Sequence, residues 1–137
     1  MIHITRRERF SAAHMLRNEN WDEQKNLEVF GNCSNKNWHG HNFELFVTVK
    51  GEVNSNTGFV INLNDLSKIL KHKVIDKLDH KNINLEVDFM KNIIASTENL
   101  AIAIWEEIEQ DIKKSGGILH CIEVKETENN FVKYFGK

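Results

Sequence analysis

HGHNFELFVTVKG, residues 39–51, alternates in character along its length: Phe43, Leu45, Val47 and Val49 fall on one side, Glu44, Thr48 and Lys50 on the other. A period of two is that of a half-buried β-strand, and it makes a sheet the centre of the fold. The strand opens with His39 and His41. Because successive side chains of a strand point to opposite faces, these two imidazoles project to the same side.

Outward from this strand the chain divides into few elements. Upstream, HITRRERFSAAH (residues 3–14) reads as a first extended segment, with an alternation imperfect enough to allow a bulge or a helical turn. Residues 19–38 are polar and irregular and read as a long loop, of the kind that carries function. Downstream, GEVNSNTGF (residues 51–59) is a turn region. Leu66, Ile69, Leu70, Val74 and Leu78 then recur at helical spacing behind Asn62 and Asn64, either of which can cap a helix. A second helix is predicted from Ser96 or Thr97 through Leu100, Ile104, Ile108 and Ile112 to the glycines Gly116 and Gly117. ILHCIEVKET and FVKYF, joined by Glu128-Asn129-Asn130, form a hairpin. The order ββααββ implies an α+β domain, an antiparallel four-stranded sheet with two helices on one face, spanning residues 1–137 as a single unit.

Composition narrows the function. A content of 40% hydrophobic and 28% charged residues fits one domain with a core. With a net charge of -2, and with lysine and arginine interspersed among acids, the chain has no basic stripe for nucleic acid. The N-terminus MIHITRRERF lacks an apolar stretch ahead of its charges, and no run approaches the roughly 18 apolar residues of a membrane span. These features lead us to expect a soluble, cytoplasmic protein without membrane partners. Cys33 and Cys121 form no CxxC pair and no disulfide framework.

The chemistry concentrates around CSNKNWHGHN, residues 33–42. His39 and His41 make a two-nitrogen half-site, and His14, at the end of the first extended segment, could join them if the first two strands pair. Three imidazoles with an open fourth position describe a catalytic rather than a structural zinc. His-x-His is also found on surfaces without metal, so the spacing alone leaves both readings open. Cys33 is a structural cysteine, a fourth ligand, or a thiolate base or nucleophile favoured by a nearby cation. Asp79-His80 is either a proton-exchanging pair or an ordinary helix end. Glu98 and Glu126 have bland readings as well, a helix-dipole carboxylate and a solvated strand residue.

Taken together, FSAAH, Cys-x5-His-Gly-His-Asn, LDHKN and ETENN, in that order, resemble the 6-pyruvoyl-tetrahydropterin synthase family, which also includes the 6-carboxy-tetrahydropterin synthases. The resemblance implies the tunnelling fold (T-fold), in which subunits join their sheets into a barrel and assemble as a hexamer, a dimer of trimers. It implies one Zn2+ per subunit on His14, His39 and His41, with Cys33 as general base. It further implies that Asp79 and His80 relay protons across a subunit interface, that Glu126 anchors the pterin, and that Thr97 and Glu98 line the pocket. The implied substrate is 7,8-dihydroneopterin triphosphate, with Mg2+ able to accompany the triphosphate, and the implied product is 6-pyruvoyl-tetrahydropterin. The runner-up is 6-carboxy-5,6,7,8-tetrahydropterin synthase of queuosine biosynthesis, whose members typically have a shorter cysteine-to-histidine spacing. Two positions depart from the pattern: Met15 stands where animal members carry arginine, and Trp38 where a small residue precedes His-Gly-His. From other classes, a Cys-His-Asp hydrolase would work without metal, and a non-catalytic pterin or zinc binder would show no turnover.

Overall fold

The computed structural model describes residues 1–137. Strands β1 (Ile2–His14) and β2 (His39–Gly51) pair antiparallel over their whole length, from Ile2 opposite Gly51 to His14 opposite His39. Strand β4 (Ile118–Lys125) pairs with β2, with a register shift between Thr48 and Val49, and β5 (Phe131–Tyr134) closes the expected hairpin on β4. To these four antiparallel strands the structure adds a fifth. β3 (Lys81–Asn82) pairs parallel to β1 at Ala12 and Ala13, giving the order β3-β1-β2-β4-β5. Two residues are too few to carry a period, so this strand has no signature in the sequence.

The apolar face of the sheet carries Phe10, Phe43, Leu45, Val47, Val49, Ile122 and Val124, all nearly or fully buried. The helices cover this one face. Helix α2 (Leu63–Leu70) starts behind Asn62, whose side chain accepts a hydrogen bond from the Asn64 N–H, and continues through a π-helical turn (Lys71–Ile75) into α3 (Asp76–Leu78). Its buried residues Leu66, Leu70, Val74 and Leu78 recur every fourth position. On an ideal helix such a spacing drifts by about 40° per step, and a wider π turn brings the later members back towards the core. Helix α5 (Thr97–Lys114) is capped by Ser96, which accepts from the Asn99 N–H at 3.1 Å, and presses Leu100, Ile104, Ile108 and Ile112 onto the sheet.

Residues 19–38 are not the loop expected from their polarity. They contain α1 (Glu23–Phe30), capped by Asp22, and a 3₁₀ turn (Gly31–Ser34) that carries Cys33. The helix is illegible as an amphipathic pattern because its Leu27 and Val29 are exposed and the residue it buries completely is Asn26. The Asn26 amide accepts from the Asn18 N–H at 2.8 Å and donates to the Asn18 and Asp22 carbonyls at 3.1 and 3.0 Å. Here a polar side chain does the work of a small core. Two further bonds tie the segment to the end of β1: the Leu16 N–H donates to the Cys33 carbonyl at 2.7 Å, and Arg17, paired with Glu23, reaches the Ser34 carbonyl. Two more short helices, α4 (Ile83–Glu86) and a 3₁₀ turn (Asp88–Met90), lead from β3 towards α5.

The opposite face of the sheet is polar, laced by Thr5 with Thr48, Ser11 with Asn42, and Arg7 with Glu44. No helix covers it. β3 occupies only the end of β1, so most of the outer edge of β1 and all of the outer edge of β5 are unpaired.

Replacing Asn26 by alanine strands the Asn18 N–H and removes the brace of α1. We expect a loss of about 1–3 kcal/mol in urea unfolding, with the Cys33 segment becoming the most protease-sensitive part of the chain.

Candidate functional site

The β1–β2 register sets His14 directly opposite His39, and the period of two adds His41 on the same face. The three rings converge, with centroids 4.5 Å apart for His14–His39, 5.2 Å for His14–His41 and 5.0 Å for His39–His41. One ligand atom from each histidine and a carboxylate oxygen of Glu126 all lie within 4.8 Å of one another. The cluster sits where the apolar face gives way to a cleft, so His14 is buried while His39 and His41 are half-buried.

Hydrogen bonding orients the nitrogens. His14 Nδ1 lies 2.7 Å from the Ala95 carbonyl, which can only accept, so Nδ1 carries the proton and Nε2 presents a lone pair to the cluster. The Nε2 atoms of His14 and His41 are both buried without a hydrogen-bond partner. His41 Nε2 is 2.8 Å from Glu126 Oε1, but out of line for a hydrogen bond. Burial holds all three imidazoles below the usual histidine range, with the neighbouring histidines adding to the effect and Glu126 opposing it. Neutral imidazoles are the form that binds a metal, and orphaned, converging nitrogens beside a carboxylate fit a divalent transition ion.

A cleft of about 530 Å³ opens beside this cluster and brings together His14, Cys33, Thr97, Glu98 and Glu126, with Phe131 and Val132 as apolar lining. Thr97 Oγ1 donates to Glu126 Oε2 at 2.6 Å. Cys33 is half-buried in the wall, held by its own carbonyl rather than by the thiol. Asp79 and His80 are absent from this cleft. They adjoin Ser11 near the edge of β1, and His80 lines a separate depression with Ala13 and Asn42. Asp79 Oδ1 accepts from the Ser11 N–H at 2.9 Å and Oδ2 lies 3.0 Å from His80 Nδ1. The Ser11 N–H, followed by His80, holds the Asp79 carboxyl below the usual carboxylate range. His80, with φ of 61° and its N–H bonded to the Ser11 carbonyl, presents a largely exposed ring to solvent.

Reading the sequence missed the proximity of Glu126 to the metal cluster and the role of the Ala95 carbonyl. A signal existed for the first: Ile122, Val124 and Glu126 share a parity, so the period of β4 carried to its end puts Glu126 on the histidine face. The carbonyl arrives from a distant segment and has no such signal. Trp38 adopts φ of 62°, the left-handed region that glycine enters most easily, which is the physical reason a small residue suits the position before His39.

Fold and site together define a class: a small α+β domain with a three-histidine cluster, able to hold a metal ion, at the mouth of a cleft that holds a thiol and two carboxylates. The chain belongs to the 6-pyruvoyl tetrahydropterin synthase family, whose profile matches residues 3–137. It is 40% identical over 134 residues to the human 6-pyruvoyl tetrahydrobiopterin synthase, covering 98% of this chain and 91% of the relative. It is 42% identical to the Dictyostelium discoideum protein of the same name, covering 98% of this chain and 96% of the relative. The solved structure of Caenorhabditis elegans 6-pyruvoyl tetrahydropterin synthase superposes with a TM-score of 0.93 at 34% identity, covering 99% of this chain and 96% of that one.

The lowered imidazoles set a pH dependence for the metal-free protein. The unfolded chain takes up protons near 6.5 whereas the folded one resists them, so stability is complete above that value and is lost as pH falls through it. We expect the melting temperature of metal-free protein to drop between pH 7 and pH 5.5, and His14→Ala, which removes the most buried of the three, to flatten the profile. Calorimetric scans across that range test this.

Proposed function

We propose that this chain converts 7,8-dihydroneopterin triphosphate to 6-pyruvoyl-tetrahydropterin with elimination of triphosphate, as a zinc-dependent carbon-oxygen lyase of tetrahydrobiopterin-type pterin biosynthesis. The observation that carries the reading is the convergence of Cys33, Thr97, Glu98 and Glu126 on one cleft beside the three histidines. Similarity over nearly the whole chain to relatives named for the pyruvoyl product favours it over the 6-carboxy alternative.

Zinc, one per subunit on His14, His39 and His41, would supply Lewis-acid chemistry at the hydroxyl-bearing carbons of the substrate side chain. Cys33, as general base, takes a carbon-bound proton there and returns it at the neighbouring position. Oxidation level shifts within the substrate and triphosphate departs, so no external redox cofactor is required. Glu126 accepts two hydrogen bonds from the amino-pyrimidinone edge of the pterin, a planar bidentate contact, with Thr97 and Glu98 beside it.

Asp79 and His80 serve the Cys33 of a neighbouring subunit. Their separation from their own cleft, the exposure of the His80 ring and the unpaired edges of β1 and β5 support assembly by edge-to-edge sheet joining, in a hexamer built from two trimers. Mg2+ accompanies the triphosphate, and the protein works in the cytoplasm.

Mass spectrometry of the product from zinc-loaded protein and 7,8-dihydroneopterin triphosphate should find all three side-chain carbons retained and triphosphate released. Loss of two carbons would assign the 6-carboxy product instead. Cys33→Ala should lower kcat by roughly 10²–10⁴-fold while pterin binding persists. Activity that survives chelation would point to a thiol hydrolase, and binding without turnover in the parent protein to a non-catalytic role.

A further inference from the structure

At the end of the sheet remote from the three-histidine cluster, two further imidazoles meet on the open face. His3 shares the parity of Thr5 and Arg7, which lie on that face, and the antiparallel register sets it opposite Lys50 of β2. His120 comes from β4, on the other side of β2, and its ring centroid lies 4.4 Å from that of His3. A bulge puts it there. Val49 is paired with Leu119 and Thr48 with Cys121, so His120 is the extra residue of the register shift and has no partner on β2. Bulges re-aim side chains in this way, and here Leu119 and Ile122 keep their core positions while His120 is turned over β2 towards His3. Phe135 packs edge-on against the His120 ring, with centroids 5.7 Å apart, and buttresses it.

We propose that His3 and His120 form a second metal site, a cross-strand pair that takes a late divalent transition ion of tetragonal preference, Cu2+ above all. The spacing selects the geometry. A metal–nitrogen bond of about 2.0 Å places a ring centroid roughly 3.1 Å from the ion, so two rings cis at about 90° stand roughly 4.4 Å apart and two at the tetrahedral angle roughly 5.1 Å. His3–His120, at 4.4 Å, matches the first figure, whereas two spacings of the three-histidine cluster, 5.2 and 5.0 Å, match the second. The His120 ring is also in the form a metal needs, because burial, His3 and Lys50 hold its imidazole below the usual histidine range and keep it neutral at pH 7. With His3 exposed and His120 half-buried, water can complete the coordination. Lys50 repels a bound cation as well, which sets the affinity below that of a three-histidine site and favours Cu2+, the strongest binder among the divalent first-row ions. Bound there, the ion joins β1 to a strand with which it shares no hydrogen bonds, at the end that β3 does not reach and where β1 is held by β2 alone. The site stands independently of the three-histidine cluster and of the pterin reading.

Equilibrium dialysis of the full-length protein, first incubated with zinc, against Cu2+, with both metals measured by mass spectrometry, separates this site from the three-histidine cluster. We expect copper to bind without loss of zinc and to give an axial electron paramagnetic resonance spectrum split by two imidazole nitrogens. His3→Ala and His120→Ala should each weaken that copper at least roughly 10-fold, the loss caused even by a partner that only orients a ligand. His120→Gln, which fills the half-buried position, is measured beside His120→Ala, and circular dichroism reports that each variant is folded. Lys50→Gln, which removes the neighbouring cation, should tighten copper binding. Copper should also raise the melting temperature of the parent and leave that of the double histidine variant unchanged. Copper that only displaces zinc, or that persists after substitution of either histidine, would overturn the pair.

Discussion

The antiparallel register of β1 on β2 brings the three histidines of the candidate site together. With Ile2 against Gly51, His14 is carried to His39, and the pleat turns both rings and that of His41 to one face. A slip of one residue would send His14 to the polar face and break the cluster, and it would also turn Phe10 and Ala12 out of the core. The hydrophobic penalty of that second effect protects the first. Burial of Phe10, Phe43, Leu45 and Val47 thus defines the geometry of the histidine cluster as firmly as any contact within the site.

Around this frame the site is assembled from segments remote in sequence, each secured by backbone bonds. The Cys33 carbonyl is anchored to Leu16 beside His14, the Ala95 carbonyl orients the His14 ring, and Thr97 at the start of α5 steers Glu126 at the end of β4. Backbone anchoring of the Cys33 segment leaves the thiol itself without a hydrogen-bond partner. It also explains why a helix as unlike the usual amphipathic pattern as α1 is tolerated. Its packing is a hydrogen-bonded asparagine, and its purpose in the structure is to deliver the turn that bears Cys33.

The open sheet face is polar, and the outer edges of β1 and β5 are largely unpaired. Near one of these edges Asp79 and His80 form a carboxylate–imidazole pair bonded to Ser11, with the ring largely exposed.

Periodicity alone determined the principal strands, the two long helices and the α+β class, because burial of one face imposes periods of two and of about 3.6 on the side chains, while the structure chose Asn62 over Asn64 and Ser96 over Thr97 as caps. The pairing of His39 with His41 was legible for the same reason, as a local pattern on a predictable strand, whereas Cys33, five intervening residues upstream, lies on a turn that follows a helix the pattern did not show. Tertiary structure alone decided what depends on distant pairing. β3 exists because two residues happen to meet the end of β1, and α1 because Asn26 finds three backbone partners. Glu126 closes on the histidines only because β4 lies beside β2, and Asp79-His80 leaves its own cleft because it is pinned to Ser11. Such contacts are set by the packing of separated segments, which no periodicity within a single segment encodes.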